Sequence, residues 1–121
     1  MREYGADRID IEGLQIPAII GIFNWERKRK QKVILHLSME IDARRGARTD
    51  AIEDALDYKT VSKRVQAFVK ASRFRLLESL AEAVARILVE EFGVHRTTVR
   101  VEKPGALRGA RTVAVTITRG E

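Results

Sequence analysis

From Val33 to Ile41 apolar and polar residues alternate strictly, with Val33, Leu35, Leu37, Met39 and Ile41 on one side and Ile34, His36, Ser38 and Glu40 on the other. A period of two predicts a strand with one buried face. Earlier in the chain, Ile9 and Ile11 alternate with charge from Arg8 to Glu12, and an apolar run from Ile16 to Phe23 continues around Gly21. Together they predict a first strand with an irregular middle at Pro17. Two further alternating stretches, Thr98 to Glu102 and Thr112 to Thr118, place Val99, Val101, Val113, Val115 and Ile117 inward and are separated by a turn through Pro104 and Gly105.

Between these pairs of strands the period changes to that of a helix. Asp50 followed by Glu53 has the form of a capping box, predicting a short turn. Asp57 is placed to cap a helix carrying Val61, Val65, Phe68 and Val69 on one stripe. A second helix is predicted from near Ser72, with Leu77, Leu80, Ala81, Val84, Leu88 and Phe92 at three- and four-residue spacing and Gly93 to end it. The order is ββααββ. It predicts an α+β fold: one domain over residues 1–121, a four-stranded antiparallel sheet with two helices on one face. The two sheet edges, and a semi-polar second face with Ser38, Ala114 and Thr116, predict that protomers extend their sheets into one another as a homo-oligomer.

Composition narrows the function classes. The chain has 121 residues, 45% of them hydrophobic, enough for one core that buries roughly two thirds of the unfolded surface. There is no cysteine, which removes disulfides, thiolate catalysis and cysteine-based metal sites. The first residues lack the apolar core of a signal peptide, and the longest apolar stretch is far too short to span a membrane, so a cytoplasmic protein is expected. A net charge of +6 suits nucleic acid and phosphorylated substrates alike. The basic run Arg27, Lys28, Arg29, Lys30 and Lys32 has no aromatic residues interleaved for base stacking, and reads as a solvated hairpin loop.

Few residues can carry chemistry. His36 and His95 stand on separate elements, without the spacing of a metal site or a catalytic triad. The glycines form no phosphate-cradling loop. Acid–base work is left to carboxylates, lysine and tyrosine, and four stand where strands end or helices begin: Glu26, Tyr58, Glu78 and Lys103. On position alone each reads first as a solvated charge or a core tyrosine.

Four strings change that reading: Ile20-Gly21-Ile22-Phe23-Asn24-Trp25-Glu26-Arg27 with Gln31, Asp54-Ala55-Leu56-Asp57-Tyr58, Leu76-Leu77-Glu78-Ser79-Leu80-Ala81, and Glu102-Lys103-Pro104-Gly105-Ala106-Leu107. In this order and spacing the chain resembles the dihydroneopterin aldolases, over essentially its whole length. The resemblance implies the tunnelling fold, with four protomers in a ring around a central barrel and two rings stacking into an octamer. It implies retro-aldol cleavage of 7,8-dihydroneopterin to glycolaldehyde and 6-hydroxymethyl-7,8-dihydropterin in folate biosynthesis, with no cofactor and no metal. The pterin is its own electron sink once N5 is protonated.

By the same resemblance, Glu78 grips the 2-amino and N3 hydrogens of the pterin, and the backbones of Leu77 and, from a neighbouring protomer, Leu56 complete its polar contacts. Lys103 transfers protons near N5, Tyr58 helps protonate the enol-like intermediate, and Glu26 positions Lys103 or a water. Ala55 stands where the family often has threonine. The stretch from Asp57 to Lys63 looks closer to dihydroneopterin triphosphate epimerase, so that activity is the alternative; a basic RNA-binding domain is the alternative of another class.

Overall fold

The structure is a computed structural model that describes residues 7–121. Four strands, β1 (Arg8–Ala18), β2 (Gln31–Glu40), β3 (Arg96–Pro104) and β4 (Thr112–Gly120), form one antiparallel sheet in the order β1-β2-β3-β4. Three helices lie between β2 and β3: a short α1 (Arg44–Thr49), then α2 (Tyr58–Ala71) and α3 (Leu77–Glu90). The last of these lies over β3 and β4, and α2 over β1. The expected ββααββ order holds, with α1 added to it.

The alternation in β2 is the clearest link from sequence to core. Val33, Leu35, Leu37 and Met39 are fully buried beneath the helices, together with Val99 and Val101 of β3. From above, Val61, Val65 and Val69 of α2 and Leu80, Ala81, Val84 and Leu88 of α3 close the same core. Burying a side chain of this size contributes about 1.5–3 kcal/mol.

Local departures have local causes. The irregularity in β1 falls between Ile11 and Leu14, not at Pro17: Gly13 takes φ +73° in a bulge, while Pro17 stays in register opposite Lys32. Pro17 is tolerated because β1 is an edge strand, whose outer side has no ladder to lose. The strand stops at Ala18, so Ile22 and Phe23 are exposed loop residues instead of strand residues.

The expected capping box is absent. Asp50 closes α1 in the left-handed conformation, φ 56°, its N–H donating to the Gly46 carbonyl, and the short turn Ile52–Asp54 that follows has no side-chain cap. The cap at Asp57 is present: its carboxylate accepts from the N–H groups of Lys59 and Thr60 and from the Thr60 hydroxyl. Ser72 ends α2 instead of starting α3, which begins five residues later at Leu77. Gly93, at φ +65°, reverses the chain after α3, and the Val94 N–H closes onto the Leu88 carbonyl.

Candidate active site

Between β1 and β2 the chain leaves the sheet for residues 19–30, a loop that carries Glu26 in a single turn of 3-10 helix, Glu26–Lys28. Glu26 is only 4% exposed. Its carboxylate accepts the Phe23 N–H at 3.1 Å, the Gln31 amide at 3.2 Å and the Lys103 ammonium at 2.5 Å. Gln31 also donates to the Ile20 carbonyl at 2.8 Å, so one side chain fixes both the start of the loop and the carboxylate.

The loop can close this tightly because residue 21 is glycine. A Cβ there would lie 2.2 Å from the Glu26 carboxyl carbon, and φ is +123°, a conformation that side-chain-bearing residues rarely take. Burial raises the pKa of Glu26, but hydrogen bonds from Lys103, the Phe23 amide and Gln31 outweigh it, and the group is held below its ordinary value. The result is a buried ion pair, with the Lys103 side chain 13% exposed at the end of β3. Burial of such a pair is tolerated when hydrogen bonds satisfy the remaining lone pairs.

The helix α3 starts at the same end of the molecule. The linker before it is joined to the Glu26 loop by a hydrogen bond from the Gly21 N–H to the Phe74 carbonyl, 3.3 Å. Leu77 and Glu78 occupy the first turn of α3, whose start has no side-chain cap; Leu77 is half-buried and Glu78 exposed. Glu26, Lys103, Leu77 and Glu78 therefore gather at one end of the sheet.

Leu56 and Tyr58 do not join them. Tyr58 opens α2, while the other end of that helix lies by the Glu26 loop, where Lys30 donates to the Lys70 carbonyl at 3.4 Å. Fourteen helical residues separate the two ends, about 20 Å. Tyr58 is 54% exposed. Leu56 lines a surface cavity of about 730 Å³ with Arg8, Glu40, Asp54 and His95, at the end of the sheet opposite Lys103. One chain thus carries four of the six residues at one end and two at the other.

Two features escaped the reading of the sequence. Arg27, within the run taken as a solvated loop, is half-buried and donates to backbone carbonyls of Gly21, Phe74 and Arg73. His36 lies on the second face of the sheet, where its Nδ1 accepts the Gly13 N–H of the β1 bulge at 3.1 Å and its Nε2 meets Glu102. The bond from His36 holds Glu102 below its ordinary pKa against the opposing effect of burial. Strand alternation points Glu102 away from Lys103, so the two acid–base pairs lie on opposite faces.

At this end of the sheet a half-buried ammonium is held on a buried carboxylate, an arrangement able to hold and exchange a proton, and the first turn of α3 carries a second carboxylate, Glu78, open to solvent. The family model for dihydroneopterin aldolase matches residues 9–118. The dihydroneopterin aldolase of Escherichia coli K12 is 35% identical over 114 residues, 94% of this chain and 93% of that protein. The dihydroneopterin triphosphate 2'-epimerase of Pseudomonas aeruginosa is 34% identical over 115 residues, 95% of this chain and 94% of that protein. Among solved structures, E. coli dihydroneopterin aldolase in complex with neopterin matches with a TM-score of 0.91 and 35% identity, covering 94% of this chain and 99% of that one. Sequence and fold agree, and the chain belongs to the dihydroneopterin aldolase family.

Proposed function

We propose that this chain cleaves 7,8-dihydroneopterin by a retro-aldol step in folate biosynthesis, with Lys103 as its proton-transfer residue. The observation that carries the assignment of residues is the buried Lys103–Glu26 pair at 2.5 Å. As the side-chain hydroxyl next to the breaking bond gives up its proton, the carbon–carbon bond breaks, which releases glycolaldehyde and leaves an electron pair on the pterin side. With a proton delivered to N5, the adjacent imine takes up that pair, and 6-hydroxymethyl-7,8-dihydropterin forms when the enol-like intermediate is protonated. Lys103 is the group poised to exchange these protons, and Glu26 holds its ammonium in place.

Glu78 supplies the anchor. An exposed carboxylate in the first turn of a helix is free to take the 2-amino and N3 hydrogens of a pterin in two parallel bonds. The backbone of Leu77 beside it completes the pterin's edge. Leu56 and Tyr58, which lie toward the opposite end of the sheet from Lys103 within a chain, enter from a neighbouring protomer. This extends to Tyr58 what the resemblance implied for Leu56 alone.

The site so composed needs an assembly, and the free edges β1 and β4 allow one in which four sheets join into a ring, two rings stacking as an octamer. No helix among the described residues is long and apolar enough to cross a membrane, and the cytoplasm is the location we assign. The neopterin complex of the E. coli relative supports a pterin as the ligand.

The Pseudomonas epimerase relative, together with the stretch from Asp57 to Lys63, supports a second activity at the same residues: re-addition of glycolaldehyde with inversion. Incubation of the purified protein with 7,8-dihydroneopterin, followed by chromatography, separates the readings. Glycolaldehyde with 6-hydroxymethyl-7,8-dihydropterin marks the aldolase; the epimer alone marks the epimerase; no conversion removes both.

A further inference from the structure

Three parts of the structure hold the proposed site, and they are not equally secured. Lys103 is set by the ladders of β3 with β2 and β4, and Glu78 by α3, whose inner face is buried in the core. Glu26 rides on a loop outside the sheet, and the side chains of that loop at Ile22, Phe23 and Trp25 are more than half exposed. Ile19 and Ile20 bury the start of the loop, but from Gly21 to Lys30 polar contacts have to fix it.

Arg27 is placed to do this. Its Nη1 donates to the Gly21 carbonyl at 2.9 Å, inside the loop, and to the Phe74 carbonyl at 3.1 Å, in the linker before α3. Its Nη2 donates to the Arg73 carbonyl. Arg73 returns the bond, its Nη2 donating to the Arg27 carbonyl at 2.8 Å. The guanidinium thus joins the loop bearing Glu26 to the linker that leads into Glu78, with carbonyl acceptors on both sides. A planar fork can serve acceptors in both segments at once; a lysine ammonium on a flexible stem cannot hold the same spread of positions.

We infer that Arg27 is a positioning residue, which sets the Glu26 carboxylate on Lys103 by bracing the 19–30 loop against the α2–α3 linker. This rests on the proposed roles of Glu26 and Lys103 and adds one that the resemblance did not supply. Because α3 is held by its own packing, loss of the brace acts on proton transfer far more than on the pterin anchor.

The test compares Arg27→Ala and Arg27→Lys with the parent protein in turnover of 7,8-dihydroneopterin and in equilibrium binding of neopterin. Both variants are expected to lose about 10–100-fold in kcat, as for a catalytic group displaced by an ångström or so, while neopterin affinity stays near that of the parent. Ethylguanidinium is expected to restore turnover to Arg27→Ala, and ethylammonium is not. Independently of turnover, amide hydrogen exchange at Gly21 and Phe23 rises in Arg27→Ala while exchange in α3 does not.

An unchanged kcat, a fully active Arg27→Lys, or an equal loss of turnover and neopterin binding would each overturn the inference, as would unchanged exchange at Gly21 and Phe23. If the parent protein itself failed to cleave, the aldolase reading would fall, and the exchange measurement would still decide whether Arg27 braces the loop.

Discussion

Placing a methyl group on Gly21 would set a carbon 2.2 Å from the Glu26 carboxyl carbon, at a backbone angle of φ +123°. Gly21→Ala should therefore destabilise the protein by about 2 kcal/mol or more, and displace Glu26 as it does so. Thermal unfolding read beside turnover checks this; a variant as stable and as active as the parent would show that the loop relaxes freely. Of the acid–base residues, Glu26 and Lys103 were named by their positions at element ends, but nothing in the sequence showed that they touch. They lie 77 positions apart and meet only because β3 ends beside the loop. The role of Arg27 was hidden for a related reason: its partners are backbone carbonyls, which leave no mark on the sequence. A run of basic residues looks the same whether one of them faces inward or none does.

Elements were legible to the degree that their residues report on packing. In β2, where one face is wholly buried, the alternation gave the strand nearly to the residue; the three- and four-residue spacing in α3 gave the region of its end, which falls at Glu90, three residues before Gly93, but not its start. Short polar elements gave no such signal. The α1 helix buries none of its residues, so no apolar stripe could announce it. Capping is readable only where a side chain is the sole donor or acceptor at hand: Asp57 was, and Asp57→Ala should cost α2 about 1 kcal/mol, measured as a shift in the denaturant midpoint. In α3, Leu88 is fully buried, and Leu88→Ala should cost about 2–5 kcal/mol by the same measurement.

Glu26 and Glu102, with Asp42, Asp57 and Glu91, set the acid limb of stability. Glu26 and Glu102 both have folded pKa values below the ordinary 4.5. Each contributes stability that is complete above the unfolded value and is lost as pH falls through the folded one. Melting temperature should then drop as pH is lowered below about 4.5, and Glu26→Gln should flatten that drop. A melting temperature unchanged down to pH 3 would mean that neither pair contributes.

Across the whole molecule, the proposed site, divided between two ends of the chain, would make assembly part of the chemistry. Lys103→Met and Tyr58→Phe, each expected to be inactive alone, should together recover activity when co-expressed, since a site taking Lys103 from one chain and Tyr58 from another is intact in roughly a quarter of random pairings. Activity no higher than the parents' would place both residues in a single chain's site. The fold as a whole could be read from the order of strands and helices. The split of the site was implied by the resemblance, which brings Leu56 from a neighbouring protomer; for Tyr58 it depends on which end of α2 faces which end of β3.

The most direct measurement takes Lys103→Met, confirmed as folded, and compares its release of glycolaldehyde from 7,8-dihydroneopterin with that of the parent, beside neopterin binding by both. Turnover lower by about 10²–10⁴-fold with neopterin binding retained is the expected result for a residue that moves protons in the reaction. Cleavage at the parent's rate would contradict the account, since the buried pair with Glu26 would then hold the loop and nothing more.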